Sequence, residues 1–197
     1  MMKLFDKWDT ENIQIKEKAL EPYIKLPNVL VPKSCGRYAY NRFWISKTHI
    51  VERLMCKLQV AGHKGKKHRL SSGSCTGKGL THYNIVKKTL EIIEQKTKTN
   101  PIQVLVTAIE NAAPREAVTT IEYGGARYPK ALELAPLKRV DLVLKLFCQG
   151  AYQKTFGKKK KIEQALADEI LLAYKIDQAS VAISKKLELE RQADSSR

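Results

Sequence analysis

The sequence predicts a mainly α fold: a single bundle of about six helices with a protruding two-stranded β-hairpin arm and an extended N-terminal segment. Apolar residues recur with helical spacing in six stretches after residue 49. Residues 119–134 interrupt this pattern with strand-like chemistry around a Gly-Gly pair. The first 49 residues contain three spaced prolines and no sustained helical period. With 197 residues and 43% apolar content, the chain is long enough for one domain with its own core.

The predicted extended segment covers residues 1–49. In its second half, cations alternate with aromatic side chains: Arg37, Arg42 and Lys47 with Tyr38, Tyr40, Phe43 and Trp44. Such interleaving suits contact with phosphates together with stacking on bases or sugars. The same aromatics are equally compatible with a structural role, in which they fix the segment to the protein's own core. The two interpretations do not exclude each other, and the sequence leaves both open.

Residues 50–197 form the predicted helical bundle. Its first helix spans residues 50–60 and has one continuous apolar face. A basic loop follows at residues 62–80, because this stretch is rich in Gly, Ser and Lys and has no apolar period. The second helix is expected at residues 81–96.

The middle of the chain predicts a helix, a hairpin and another helix in succession. Asn100 can cap the first of these helices, and Pro101 stands at its first position, where the missing N–H loses no hydrogen bond. Pro114 ends that helix, and Pro136 opens the next one. The stretch between the two prolines therefore has room for a β-arm.

The hairpin has one consistent register. A two-residue turn at Gly124 and Gly125 suits a primed β-turn, which needs positive φ angles. This turn pairs Tyr123 with Ala126, Glu122 with Arg127, Ile121 with Tyr128 and Thr120 with Pro129. Opposite charges and a β-branched residue opposite an aromatic one are favourable across strands. A two-stranded arm is only marginally stable alone in water, so we expect it to rest on a partner surface.

Two further helices complete the predicted bundle. The first covers residues 162–175, and Asp168 and Glu169 are expected on its exposed side. Ser180 can cap the second, which is mostly polar and ends near Ala193.

The net charge of +16 is concentrated in one third of the chain. Residues 32–90 carry thirteen basic residues and one acidic residue, Glu52, whereas residues 1–31 are neutral overall. A merely soluble surface mixes both signs, so this excess predicts binding to a polyanion. An anionic membrane would also fit the charge, but no apolar run approaches the roughly 20 residues that span a bilayer. The N-terminus lacks a hydrophobic signal core, so we expect a cytosolic protein.

No arrangement of residues in the sequence supports an enzyme, a metal site or a cofactor. The nearest approach to a set of metal ligands is His63, His68, Cys75 and His82. Their spacing matches no zinc-binding pattern. Residues 73–79 resemble a phosphate-binding loop only superficially, because three residues instead of four separate the glycines and Gly follows Lys78. We therefore predict a non-enzymatic protein with no small-molecule substrate.

Several short runs resemble one known family. They are IVERL at residues 50–54, YNIVK at 83–87, NPIQVLV at 100–106, PRE at 114–116, LKRV at 137–140 and the tail at 183–197. In this order, and over nearly the whole chain, they resemble the family of ribosomal protein S-seven of the small subunit, whose eukaryotic member is called small-subunit protein five. The KWDT run at residues 7–10 and the segment up to Phe43 resemble its archaeal and eukaryotic branch.

The resemblance implies a structural constituent of the small ribosomal subunit. Such a protein binds the 3′ major, or head, domain of small-subunit rRNA and helps to nucleate assembly of the head. It lies in the cytoplasm on the ribosome, beside neighbouring ribosomal proteins, the tRNA exit site and the mRNA path. Carried over by position, the rRNA-facing candidates are Arg37, Arg42, Lys47, Lys64, Lys66, Lys67, Arg69, Lys78, Arg115, Lys138, Arg139, Lys158, Lys159, Lys160 and Lys161. The arm that reaches toward exit-site tRNA has at its tip Tyr123, Gly124, Gly125, Arg127 and Tyr128.

The residues taken alone leave one alternative from another class. A basic helical adaptor would bind acidic protein partners, or RNA outside the ribosome, through the same cationic surface. Sedimentation discriminates the two, because a ribosomal protein stays with the small subunit through a moderate salt wash and an adaptor does not.

Overall fold

The computed structural model describes residues 2–60, 62–64, 69–71 and 75–197. Six α-helices lie in this described part: α1 (Ile50–Leu58), α2 (Gly79–Thr97), α3 (Pro101–Ala112), α4 (Pro136–Thr155), α5 (Ile162–Tyr174) and α6 (Val181–Asp194). They are accompanied by two antiparallel pairs of strands: β1 (Gly62–Lys64) with β2 (Arg69–Ser71), and β3 (Glu116–Tyr123) with β4 (Ala126–Glu133). The mainly α fold with a hairpin arm between α3 and α4 is confirmed.

Local sequence sets the boundaries of the helices. The Asn100 side chain accepts the backbone N–H of Ile102 at 3.0 Å, and Pro101 is the first residue of α3. Pro136 is likewise the first residue of α4. The residue after α2, Lys98, adopts a left-handed conformation with φ of 56°, which ends that helix.

Helix α5 lies at the centre of the bundle. It packs against α2, α3 and α4, while α1 packs against α2 and α4. Its fully buried face combines small and branched side chains: Ala165, Leu166, Ala167, Ile170 and Ala173. Small side chains at a helix contact shorten the distance between the helix axes, so α5 can pack closely against all three neighbouring helices.

Glu169, on the same helix, contradicts the expectation that it is exposed. It is fully buried, and its Oε1 accepts the hydroxyl of Ser180 at 2.9 Å and the backbone N–H of Val181 at 2.5 Å. Its Oε2 lies 2.5 Å from Nζ of Lys154. Ser180 stands at the N-cap of α6, as predicted, but its own side chain makes no capping bond. Glu169 caps α6 instead, from the neighbouring helix.

The hairpin arm has the predicted register, with Tyr123 opposite Ala126 and Ile121 opposite Tyr128. It is longer than predicted, because pairing begins at Glu116 instead of residue 119. The arm's base packs against α6. There the Arg197 guanidinium contacts both carboxylate oxygens of Glu116, at 2.6 and 2.7 Å. The C-terminal residues therefore help to fix the direction in which the arm leaves the bundle.

The N-terminal segment, which the sequence predicts to be extended, is largely irregular in the structure and also contributes to the core. Its regular structure consists of three short 3₁₀ helices, at Glu21–Tyr23, Arg37–Tyr40 and Trp44–Lys47. Leu4, Trp8 and Leu20 are buried against the bundle. The first half of the segment is thus packed as part of the domain.

The pairing of β1 with β2, within the basic loop, was not predicted. Gly62 lies opposite Ser71 and Lys64 opposite Arg69. Strands of three residues with polar composition carry no usable period, so no pattern in the residues indicates them. The rest of the loop at 65–68 and 72–74 lies outside the described residues.

Candidate nucleic-acid interface

The second half of the N-terminal segment lies against α1, and residues 33–47 are called the basic strap here. The backbone N–H and the hydroxyl of Ser34 both donate to Oε1 of Glu52 on α1, at 2.7 and 2.6 Å. The Tyr38 hydroxyl lies 3.7 Å from Sγ of Cys56, one turn further along α1. These two contacts hold the strap to the helix at separate points.

The strap presents cations to solvent. Arg37, Arg42 and Lys47 are all exposed, and none of them has an acidic partner among the residues that the structure describes. The Arg42 guanidinium lies 5.6 Å from the centre of the Phe43 ring, and Nζ of Lys47 lies 5.4 Å from that of Trp44. Each of these two cations is thus placed above an aromatic face, an arrangement that leaves its charge available to a phosphate.

The aromatic residues of the strap divide between the two roles that the sequence left open. Tyr38 is half-buried and anchors the strap, whereas Tyr40 is 84% exposed and Phe43 67% exposed. Trp44 is also exposed. Unpaired bases stack on aromatic faces that are open to solvent, so the three exposed rings are suited to that contact.

Three more lysines belong to this surface and were missed from the sequence. Lys33 lies at the start of the strap, and Lys57 on α1 and Lys145 on α4 line a cleft beside it. Lys57 lies 3.6 Å from a carboxylate oxygen of Asp141, and Lys145 is exposed. Lys33 and Lys57 stand in the charge-rich stretch 32–90, so the charge pattern could have found them. Lys145 could not be found, because only packing of α4 on α1 brings it there.

The basic loop contributes one described cation. Lys78 is exposed and immediately precedes α2. Lys66 and Lys67 lie outside the described residues, and at Lys64 and Arg69 the structure describes the backbone only.

The residues predicted at the base of the arm have different environments. Arg115 and Lys138 are exposed. Arg139 is buried: its Nε donates to the Pro114 carbonyl at 2.9 Å, and its other two nitrogens contact the carboxylate of Glu17 at 2.6 and 3.0 Å. Because these internal bonds use the Arg139 guanidinium to tie the N-terminal segment to the arm's base, we leave Arg139 out of the surface.

The basic turn between α4 and α5 is only partly neutralised. Lys158, Lys159 and Lys161 are exposed and have no acidic partner in the described part of the chain. Nζ of Lys160 lies 2.6 Å from Asp168. Partial burial of Asp168 would raise its pKa, but hydrogen bonds from Lys160 and Lys96 outweigh this and hold the pKa below its usual range. Asp168 therefore stays ionised and offsets part of the turn's charge.

The basic turn and the basic strap are two separate surfaces. The N-terminal residues of α2 line a cleft beneath the strap, and Lys96, near its other end, shares Asp168 with the basic turn. Helix α2 has 19 residues, which corresponds to a length of about 28 Å. The cations of the strap and those of the basic turn thus lie near opposite ends of this helix.

The arm's tip is exposed on every side. All residues from 121 to 130 are exposed, and Tyr123 is 81% exposed. Ile121 and Tyr128, which lie opposite each other, point to the same face as Tyr123. An apolar face of this kind on a free arm is typical of a surface that a partner covers.

The described residues contain no grouping typical of metal or membrane chemistry. No set of three or more His, Cys, Asp and Glu side chains among them is arranged to hold a metal ion. Burial raises the pKa of the Cys148 thiol to about 12, so this cysteine is protonated and is not a nucleophile. Within the described ranges, no helix has both the length and the apolar character needed to cross a bilayer.

Comparison with known proteins identifies the family. The model of the family described as "Ribosomal protein S7p/S5e" matches residues 20–197. The chain belongs to this family.

Three members of the S7p/S5e family, all archaeal, match nearly end to end. The chain is 49% identical to the small ribosomal subunit protein uS7 of Nanoarchaeum equitans, over 100% of this chain and 99% of the relative. It is 46% identical to uS7 of Methanosphaera stadtmanae, over 98% of this chain and 97% of the relative. It is 45% identical to uS7 of Archaeoglobus fulgidus, over 98% of this chain and 94% of the relative. The family resemblance of the sequence, including its archaeal branch, is confirmed.

Proposed function

We propose that this protein is a structural component of the small ribosomal subunit that binds the 3′ major domain of small-subunit rRNA and helps to nucleate assembly of the head. The observation that carries this proposal is the basic strap, where exposed cations without described acidic partners lie beside exposed aromatic rings. This combination suits structured RNA, because cations contact phosphates while aromatic faces stack on unpaired bases. Family membership and the names of the archaeal relatives support the coarser part of the proposal, a protein of the small ribosomal subunit.

The two basic surfaces allow the protein to hold two separate RNA segments. The strap, with Lys33, Lys57 and Lys145, would contact one segment, and the basic turn at residues 158–161 would contact another. Recognition of RNA shape and contacts to phosphates would dominate binding at both surfaces, because most of the exposed groups there are flexible lysines and arginines.

The arm would face exit-site tRNA and the mRNA path. Its exposed tip at Tyr123 and Tyr128 and its free apolar face at Ile121 support this role. An isolated two-stranded hairpin is marginal in water, so a partner at the arm would also stabilise it. Neighbouring ribosomal proteins would be further partners, and the protein would act in the cytoplasm on the ribosome without enzymatic activity.

Sedimentation tests the proposal against the adaptor alternative. A tagged copy expressed in an archaeal host should co-sediment with the small subunit in a sucrose gradient and remain bound through a moderate salt wash. A variant with Arg37, Arg42 and Lys47 replaced by Ala should leave the subunit at lower salt than wild type. The matched control replaces Lys3, Lys16 and Lys18 by Ala, because these lysines are also exposed. This control variant should leave the subunit at nearly the same salt concentration as wild type. Wild-type protein that remains in the light fractions would contradict the proposal and favour an adaptor.

A further inference from the structure

The cleft between the basic strap and the beginning of α1 has the features of a nucleotide site. It has a volume of about 270 Å³ and is lined by aromatic and cationic side chains of the strap, among them Arg37, Tyr38, Trp44 and Lys47. Two residues at the N-terminus of α1, His49 and Glu52, also line it. They stand three positions apart at the start of the helix, a spacing that places them on one face.

His49 carries a hydrogen-bond donor without an acceptor. The residue is 3% exposed, and its Nδ1 accepts the backbone N–H of Val51 at 3.1 Å, which caps α1. Burial lowers the pKa of His49 to about 4, so the ring is neutral at physiological pH. With Nδ1 acting as an acceptor, the ring hydrogen lies on Nε2. Nε2 is buried and has no partner in the described part of the chain. A buried donor of this kind destabilises the fold until an acceptor reaches it.

Glu52 offers an acceptor in the lining of the same cleft. It is 7% exposed, and both hydrogen bonds from Ser34 fall on Oε1. Its Oε2 accepts no hydrogen bond from the described residues. Glu52 is also the single acidic residue between positions 32 and 90. A lone carboxylate inside a phosphate-binding surface weakens anion binding, so its presence there favours a ligand that donates hydrogen bonds.

We propose that this cleft binds one unpaired guanine of RNA. The inference rests on the proposed RNA-binding function and adds a base-specific contact to it. Guanine is the base that presents two adjacent N–H donors, N1–H and the 2-amino group, next to a carbonyl acceptor, O6. The donors match Oε2 of Glu52, the carboxylate oxygen that accepts no bond from Ser34, and O6 matches Nε2–H of His49.

The rest of the nucleotide fits the lining of the same cleft. Trp44 provides a face on which the base stacks, and Arg37 and Lys47 provide charge for its phosphate. Nε2 of His49 is shielded from water in the free protein, so binding includes a local movement of the lining side chains.

Fluorescence of Trp44 provides a direct test. The chain has two tryptophans, and replacing the buried one, Trp8→Phe, leaves Trp44 as the reporter. The probes are three single-stranded RNAs of equal length: all-uridine, the same strand with one central guanosine, and the same strand with one central adenosine. At near-physiological salt, the guanosine strand should quench Trp44 and bind roughly tenfold more tightly than the other two.

Two variants separate base recognition from folding. Glu52→Gln keeps an acceptor for Ser34 but removes the charge, and the preference for guanosine should fall to near unity. Glu94→Gln changes the same charge at an exposed site on α2 and should keep the preference. If Glu52→Gln fails to fold, His49→Asn provides the second test, because Asn still caps α1 but removes the ring donor. It should lower affinity for the guanosine strand severalfold and so reduce the preference for guanosine over uridine.

The outcomes distinguish the site from the proposed function. Equal binding of all three strands by the Trp8→Phe protein would overturn the guanine site, while a preference for head-domain rRNA over other RNA would still stand. A guanosine preference without any preference for head-domain rRNA would support the site and contradict the ribosomal function. Retention of the guanosine preference by folded Glu52→Gln would also overturn the assignment.

Discussion

Removing the exposed cations of the basic strap tests whether this surface contacts phosphates. The variant replaces Arg37, Arg42 and Lys47 by Ala and leaves the anchors of the strap, Ser34 and Tyr38, in place. No described acid neutralises these three charges, so each is free to displace a counterion from RNA. A phosphate contact releases about 0.7 counterions from a single strand and about 0.9 from a duplex. Since the variant can no longer make these phosphate contacts, the slope of log affinity against log salt should become shallower by about 2 to 2.7.

The size of this change can be measured directly. Between about 50 and about 200 mM salt, the ratio of wild-type to variant affinity should shrink by ~20- to 40-fold. Fluorescence anisotropy with a labelled fragment of the head-domain rRNA measures both affinities. The control variant with Lys3, Lys16 and Lys18 replaced by Ala loses the same charge from the neutral N-terminal region and should keep a slope near that of wild type. Parallel slopes for wild type and the strap variant would refute the assignment of phosphate contacts to the strap.

Three further predictions concern stability and test the buried side chains of Glu169 and His49 and the contact of Gly150 with Glu169. Replacing Glu169 by Ala should lower the free energy of unfolding in urea by about 3 kcal/mol, because Lys154 and the N-terminus of α6 lose their partner; a loss below about 1 kcal/mol would contradict its capping role. Gly150→Ala, usually stabilising in a helix, should destabilise by about 1–3 kcal/mol, because the added Cβ would lie 2.9 Å from Cδ of Glu169; raised stability would show that the contact relaxes freely. The pKa of His49 is lowered to about 4 in the folded protein. As the pH falls, His49 therefore takes up its proton at a higher pH in the unfolded state than in the folded state. The free energy of unfolding should fall by about 2 kcal/mol between pH 7 and pH 5. The His49→Asn variant should lack this share of the pH dependence. Identical profiles of stability against pH for wild type and the variant would refute the contribution of His49.

The hairpin arm and the helix caps were predictable because their signals are local. A two-residue Gly-Gly turn and the alternation of side chains along a strand determine the register together, and the observed pairs match it. The cap at Asn100 with Pro101 follows from the same short-range chemistry. In each case the residues that decide the structure are neighbours in sequence.

Glu169 shows where local reasoning fails. It lies three residues after Leu166 and four before Ala173, so the helical period places it on the buried face of α5. Its charge argued for exposure, because carboxylates are rarely buried without partners. Those partners, Lys154 and Ser180, belong to other elements, and their position depends on packing that one sequence does not reveal.

The candidate interface was predictable in its charge but not in its geometry. The charge excess of residues 32–90 indicated a polyanion site, and exposed Arg37 and Lys47 agree with it. The sequence did not show that Arg139 is buried against Glu17, nor that Lys145 joins the surface from α4. The same holds for the cleft between the strap and the beginning of α1, because its shape depends on how the strap packs on that helix.

Binding of the purified protein to the 3′ major domain of small-subunit rRNA is the direct test of specific rRNA recognition. The comparison is an unrelated structured RNA of equal length, measured over the same salt series. We expect tighter binding to the head domain that persists at near-physiological salt, since specific contacts add to the phosphate contacts. Equal binding to both RNAs that disappears as salt rises would contradict specific rRNA recognition and leave only a general affinity for polyanions.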